Sequence, residues 1–246
     1  MSTERIVSIH QPNFLPRLKV LQKIANSDIY IVFDDVQFVR NDWQNRVIIR
    51  NYSTNHTSWI SLPVHKPHGQ KSSISEISFV DQKNTLDKAF RQIQSAYFKS
   101  PFWHEMESLF NRLFYSTTGL DNLLSDYLYN SLCAIFRELE IKTTVVRSSS
   151  FAQPVHTEKN AHLLWLCNAV DGDAYICGTG GLSYIDKNLF LENGIEVIVQ
   201  SWNDSEMIKR FGCDTWKNVS FIDFWARFGR ESLVSLLTEG IDSTGC

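Results

Sequence analysis

The chain has 246 residues, 43% of them hydrophobic and 21% charged, with 24 basic against 27 acidic side chains and a formal net charge of −3. That is the composition of a soluble globular protein, long enough to bury a core without disulfide staples. It carries no clustered basic stripe, which argues against a nucleic-acid partner, and no apolar run approaches the ~20 residues that span a bilayer.

The chain opens on a polar stretch, Met1 to Arg5, that leads straight into an apolar run, so no signal peptide is expected. Its five cysteines, Cys133, Cys167, Cys177, Cys213 and Cys246, are odd in number and widely spaced. No C-x-x-C and no Cys/His cluster of zinc spacing occurs, so no metal site is assigned. Reduced thiols in a cytoplasmic protein are the simplest expectation. The seven Trp, eight Tyr and sixteen Phe are expected to pack a core rather than form a stacking platform for bases.

Ile6 to Ile9 reads as a short buried strand, followed by a loop made rigid by Pro12 and Pro16. Leu18, Leu21, Ile24 and Ala25 recur at helical spacing, and Ile29 to Phe33 is a β-branched run suited to a covered parallel strand. The opening unit is therefore β-α-β. Val47–Arg50 and Trp59–Val64 predict a hairpin, and Pro63 to Ser73 a polar, mobile loop carrying His65, Lys66 and His68. A short strand is expected around Ile74, Ile77 and Phe79. Helices are expected over Asn84–Phe98, from Ser100 to Tyr115, and over Leu120–Leu139. Then come a strand at Thr143–Val146, a helix from Thr157 to Val170, a strand at Ala174–Cys177, a helix at Asp186–Asn193, a strand at Ile195–Val199, and helices at Val219–Phe228 and Glu231–Thr238. The expectation is one α/β, Rossmann-like domain over residues 1–246. A mostly parallel sheet is flanked by helices, and a helical insertion at about 84–140 forms a lobe over it.

In open α/β sheets ligands sit beyond the carboxyl ends of the strands. His10 ends the first strand, where a histidine can serve as general base near neutral pH. Gln11 and Asn13 follow it between the two prolines. Asp34 and Asp35 end the second strand, and Asp35 could orient His10, hold an amine or bind a metal. Gln37, Gln44, Asn45 and Arg46 come next; Arg46 offers a forked contact to carboxylate or phosphate. Gly178-Thr179-Gly180-Gly181 follows a strand and could bring backbone N–H groups to an anion, although it is neither a P-loop nor a dinucleotide fingerprint. Cys177 before it reads as buried filler more readily than as a nucleophile.

The blocks Ile9-His10-Gln11-Pro12-Asn13-Phe14-Leu15-Pro16, Phe33-Asp34-Asp35-Val36-Gln37-Phe38 and Trp43-Gln44-Asn45-Arg46, with Arg147-Ser148-Ser149, Tyr184-Ile185-Asp186 and Ser220-Phe221-Ile222-Asp223, resemble the WbqC-like protein family in content and order. The resemblance implies a bacterial protein associated with O-antigen and other polysaccharide gene clusters. It also implies transfer of an acyl or aminoacyl group to an amino sugar. Tyr184 joins the substrate-binding set on this ground. Members commonly carry an aromatic residue and a glycine after the second proline, where this chain has Arg17 and Lys19, a change suited to a more anionic substrate. Serine is common where Cys177 stands, which argues against an essential thiol.

The expected function is acylation of the amine of a nucleotide-linked amino sugar. His10 and Asp35 would be catalytic; Gln11, Asn13, Gln37, Asn45, Arg46, Gly178, Gly180, Gly181 and Tyr184 would bind. The acyl donor is open: an acyl-CoA, a carrier-protein thioester or an aminoacyl-tRNA, the last disfavoured by the lack of a basic face. The alternatives are nucleotidyl transfer or adenylation, and a non-catalytic sugar- or nucleotide-binding module.

Overall fold

The structure is a computed structural model and describes residues 4–115, 122–152, 158–178, 180–200 and 220–239, with isolated positions between 202 and 218. In chain order the elements are β1 (Ile6–His10), α1 (Leu18–Ala25), β2 (Ile29–Val32), β3 (Arg46–Arg50), β4 (Thr57–Ser61), β5 (Val64–His65), β6 (Ser78–Phe79), α2 (Gln82–Tyr97), α3 (Trp103–Tyr115), α4 (Leu124–Glu138), β7 (Thr144–Arg147), α5 (Lys159–Ala169), β8 (Ala174–Cys177), α6 (Lys187–Glu192), β9 (Glu196–Val199) and α7 (Phe221–Thr238). Cys213, Cys246, Thr157 and Thr179 lie outside the described residues.

Five of the strands form one parallel sheet in the order β7-β2-β1-β8-β9. Counted by their place in the chain, that is 3-2-1-4-5, the Rossmann order. The short β-branched runs that make these strands are covered on both faces, as parallel sheets require. On one face Val7, Ile9, Ile31, Phe33 and Tyr175 pack against Leu163, Leu166 and Phe190 of α5 and α6. On the other, Tyr30 and Val32 meet Leu18, Leu21 and Ile24 of α1. The helices α2, α3 and α4 join this second core together with α7. The fold is therefore α/β and Rossmann-like. No helix among the described residues is long and apolar enough to cross a membrane.

Several expected boundaries move. The strand expected over Trp59–Val64 is split: β4 ends at Ser61 and pairs with β3, and β5 begins at Val64 and pairs with β6. Ile74 does not begin a strand: Ile74–Glu76 is a 3-10 turn closed by a Ser73/Glu76 capping box, and β6 covers only Ser78–Phe79. The reciprocal cap at Ser73 and Glu76 satisfies local backbone groups that a strand would leave to a neighbour. The helix expected from Leu120 begins at Leu124. The two C-terminal helices form one segment broken at Gly229, whose φ is +82°. There an added Cβ would lie 2.7 Å from the Phe102 ring, so both the backbone and the close approach call for glycine. The loop before β6, expected to be mobile, is tied down: Phe38 N–H donates to Ser72 O at 2.9 Å, and the Gln37 side chain donates to Gln70 O.

Candidate functional site

A Rossmann sheet has its switch point where the strand order reverses. Here that is between β1 and β8, which begin their crossovers in opposite directions, to β2 and to β9. A crevice of about 440 Å³ opens at their carboxyl ends. His10 from β1, Cys177 and Gly178 from the end of β8, Gly180, Gly181 and Tyr184 from the following turn, Arg17 at the N-cap of α1, and Lys19 and Lys23 from α1 line it.

The electrostatics of this crevice are one-sided. Lys23 is buried, with its Nζ 3.3 Å from Ile9 O. Burial is the main reason its pKa falls to about 8; Arg17 pushes in the same direction. Burial, then Lys23 and Arg17, hold His10 well below its usual value, against a smaller opposite effect of Asn13. His10 is therefore a neutral imidazole at pH 7. Burial pushes the Cys177 thiol up, overriding the pull of Lys23 and Lys187, so it is not a thiolate at neutral pH. No carboxylate lines the crevice among the described residues. Such a set attracts an anion and leaves a base beside it.

The pH dependence follows from Lys23. Its folded pKa is lowered, so its charge is present below about pH 8 and lost above. An exposed lysine keeps its charge to ~10.4. Phosphate-type anions should therefore bind with an affinity that falls as pH rises through about 8, and Lys23→Arg should push that fall well above pH 10. Titration calorimetry with inorganic phosphate across pH 6 to 10 checks both; a flat profile in the native protein would remove Lys23 from the anion site.

The glycine turn packs closely at one position. A Cβ on Gly181 would approach Gly178 O at 3.1 Å and Cys177 Cβ at 3.3 Å, whereas at Gly178 and Gly180 it would meet nothing within 4 Å. Gly181 N–H also donates to Gly178 O at 2.7 Å, closing the turn.

The structure brings His10, Gly178, Gly180, Gly181 and Tyr184 together. It distributes the other predicted residues elsewhere. Gln11 and Asn13 line a narrow recess beneath the loop with Tyr30 and Tyr129, and Gln11 accepts from the fully buried Gln44 at 2.9 Å. Gln37 is taken by Gln70 O. Asn45 donates to Leu62 O at 2.9 Å and so pins the hairpin. Arg46 lies over the Trp59 ring at 4.0 Å, not over the crevice.

Asp35 does not orient His10. It accepts from Ser148 and pairs with His162 at 3.7 Å. Its neighbour Asp34 is fully buried and receives the Arg147 guanidinium at 2.7 Å, Ser149 N–H at 3.1 Å and the Ser149 hydroxyl at 3.0 Å. Arg147 also reaches Asp126, and Ser125 Oγ at 3.0 Å. The acid pair thus ties the end of β2 to the end of β7 and to α4.

Arg17, Lys19 and Lys23 were not singled out as a set from the sequence. The signal was there: the stretch Arg17 to Ala25 holds three cations and no acid. A second recess, of about 530 Å³, lies between β4 and the first half of α2, with Trp59, Val80 and Ala89 among its walls. None of the predicted site residues lines it.

Residues 11–234 match the WbqC-like protein family. An uncharacterized protein of Mycobacterium tuberculosis (strain ATCC 25618 / H37Rv) is 24% identical over 227 residues, 92% of this chain and 95% of its own length. No solved structure is a significant match. The match begins in the loop that follows His10 and ends inside α7, so it takes in every strand of the sheet beyond β1 and the glycine turn, and the chain belongs to the WbqC-like protein family.

Proposed function

We propose that this chain is a transferase that acylates the amine of a nucleotide-linked amino sugar in bacterial polysaccharide biosynthesis. The observation that carries the reading is a half-buried, neutral His10 beside three cations at the sheet's switch point. The cations suit the phosphates of a sugar nucleotide, and the imidazole suits an amine that must lose a proton as it attacks.

The chemistry balances with an acyl thioester as donor. The free amine attacks the thioester carbonyl, the C–N bond forms, and the oxyanion is met by the backbone N–H groups of Gly178 and Gly180. The C–S bond breaks as the carbonyl re-forms. The amine proton passes to His10 Nε2 or Nδ1 and from there to the departing thiolate. His10 begins and ends neutral, which its lowered pKa favours. Positioning and preorganised donors supply most of the rate. The donor is a coenzyme A or carrier-protein thioester; a net charge of −3 disfavours an aminoacyl-tRNA.

The test is a thermal-shift screen of the purified chain followed by product analysis. A sugar nucleotide bearing a free amine, at 100 times its Kd, should stabilise the fold by ~2.7 kcal/mol. Addition of an acyl-CoA should then release free thiol and increase the sugar nucleotide's mass by the acyl group. Binding without transfer from any thioester donor would leave a binding module and defeat the reading. The 3-2-1-4-5 strand order, with a histidine at the end of β1, also favours a second reading, nucleotidyl transfer or adenylation. ATP with magnesium separates the two, because that chemistry releases pyrophosphate and needs no thioester.

A further inference from the structure

The guanidinium of Arg17 does not stand alone at the crevice. It lies over the Trp43 ring at 4.5 Å. Trp43 packs on Trp59 with ring centroids 5.3 Å apart and planes tilted by 37°. Arg46 lies over Trp59 at 4.0 Å. Two cations and two indoles therefore make one stack that runs from the crevice to the β3–β4 hairpin. Cation–π contact fixes the planar fork of an arginine more tightly than it fixes a lysine.

The Arg17 Nε is buried and has no hydrogen-bond partner among the described residues, although an arginine Nε is a strong donor. Arg17 stands at the N-cap of α1 but makes no side-chain cap. A donor held in a fixed plane, at the wall of a crevice and without a partner, is prepared for a ligand. The crevice lining offers Arg17, Lys19 and Lys23; the carboxylate that acts on Arg17 is Asp42. Among the described residues, three cations at the crevice against the one carboxylate acting on Arg17 suit a ligand that brings two negative charges. A phosphodiester-linked diphosphate carries that charge and offers paired oxygens to an arginine fork.

We infer that Arg17 is the diphosphate-reading residue of the crevice, and that Trp43, Trp59 and Arg46 act through it as positioning residues. The substrate class is then a pyrophosphate-linked sugar nucleotide, not a sugar monophosphate or a carboxylate. The inference rests on the proposed function only in seating the sugar nucleotide in this crevice. Arg46, which the sequence assigns a direct substrate contact, acts here at the far end of the stack.

The probes are inorganic pyrophosphate and inorganic phosphate, titrated by calorimetry into the full chain at fixed ionic strength without magnesium. Pyrophosphate should bind at least about tenfold tighter. Arg17→Lys keeps the charge and removes the fork, and should weaken pyrophosphate about tenfold while changing phosphate about twofold or less. Trp59 is half exposed and touches no ligand in this reading. Trp59→Leu keeps an apolar side chain but removes the ring, and should weaken pyrophosphate about threefold; Trp59→Phe should restore it. Equal affinity for the two anions, an unchanged ratio in Arg17→Lys, or equal behaviour of the Leu and Phe variants would overturn the inference, as would failure of either anion to bind at millimolar concentration. The two readings fail separately. Pyrophosphate selectivity without acyl transfer removes the enzyme and keeps the fork; acyl transfer without that selectivity does the reverse.

Discussion

His10→Gln is expected to lower acyl-transfer turnover by ~10²-fold or more while leaving sugar-nucleotide affinity within about twofold. Glutamine keeps much of the volume and one hydrogen-bonding end of the imidazole but cannot take a proton. Among the described residues the other ionisable groups lining the crevice are Arg17, Lys19, Lys23, the raised thiol of Cys177 and the raised phenols of Tyr175 and Tyr184. Of these Lys23, lowered to about 8, is the one that gains a base form near neutrality, and that form fades as pH falls below 8. Because burial and the neighbouring cations lower the His10 pKa, its base form persists as pH falls, and the native kcat should stay level from pH 7 to well below 6.5. An ordinary histidine base would lose half its activity near pH 6.5. Thiol release gives kcat and calorimetry gives the affinity. Turnover that survives the substitution, or an acid limb centred at 6.5, removes His10 as the base.

The largest loss of stability is expected at Asp34, outside the crevice. Asp34→Ala should cost about 3–5 kcal/mol, because it leaves the Arg147 guanidinium partly buried without one of its carboxylates and strands the Ser149 donors. For a chain of this length that corresponds to a melting temperature lower by about 10 °C. Ser149→Ala, which removes one neutral donor, should cost only about 1 kcal/mol. Urea unfolding followed by circular dichroism distinguishes the two. A loss below about 1 kcal/mol for Asp34→Ala would mean that Asp126 alone satisfies Arg147.

The order of strands and helices was legible because each apolar run has the period and length of its element. Ile29 to Val32 announces a covered parallel strand, and Leu86, Phe90, Ile93 and Tyr97 announce the buried face of α2. The place of the crevice was legible too, since it follows from strand ends in an α/β sheet. Membership of the site was legible only in part. His10 and the glycine turn share the crevice although about 170 residues separate them, because a β1–β8 pairing brings their strand ends side by side. Asp35, Gln37, Asn45 and Arg46 stand close to His10 in sequence and turn elsewhere, because their hydrogen bonds and ring contacts are made across the chain, to Ser148, Gln70, Leu62 and Trp59. Residue type does not reveal which partner a polar side chain meets. Arg17 and Lys19 were legible as a change toward an anionic substrate, but their convergence with Lys23 on His10 and the glycine turn was not, because it depends on how α1 packs against the sheet.

The central position of β1 has a consequence for how the chain folds. β1 emerges before the other strands of the sheet and can pair with β2 as soon as that follows, where Val7 meets Ile29. Its other edge waits for β8, where Ile6 meets Ala174. Through the whole of the intervening synthesis an apolar strand edge stands open, a template for pairing with another chain. Closing that edge is a long-range, slow event, and the same event builds the crevice. A chain truncated before Ala174 would keep its first βαβ unit, but it would lose α7 from the core of α2, α3 and α4, carry no crevice and leave the β1 edge exposed.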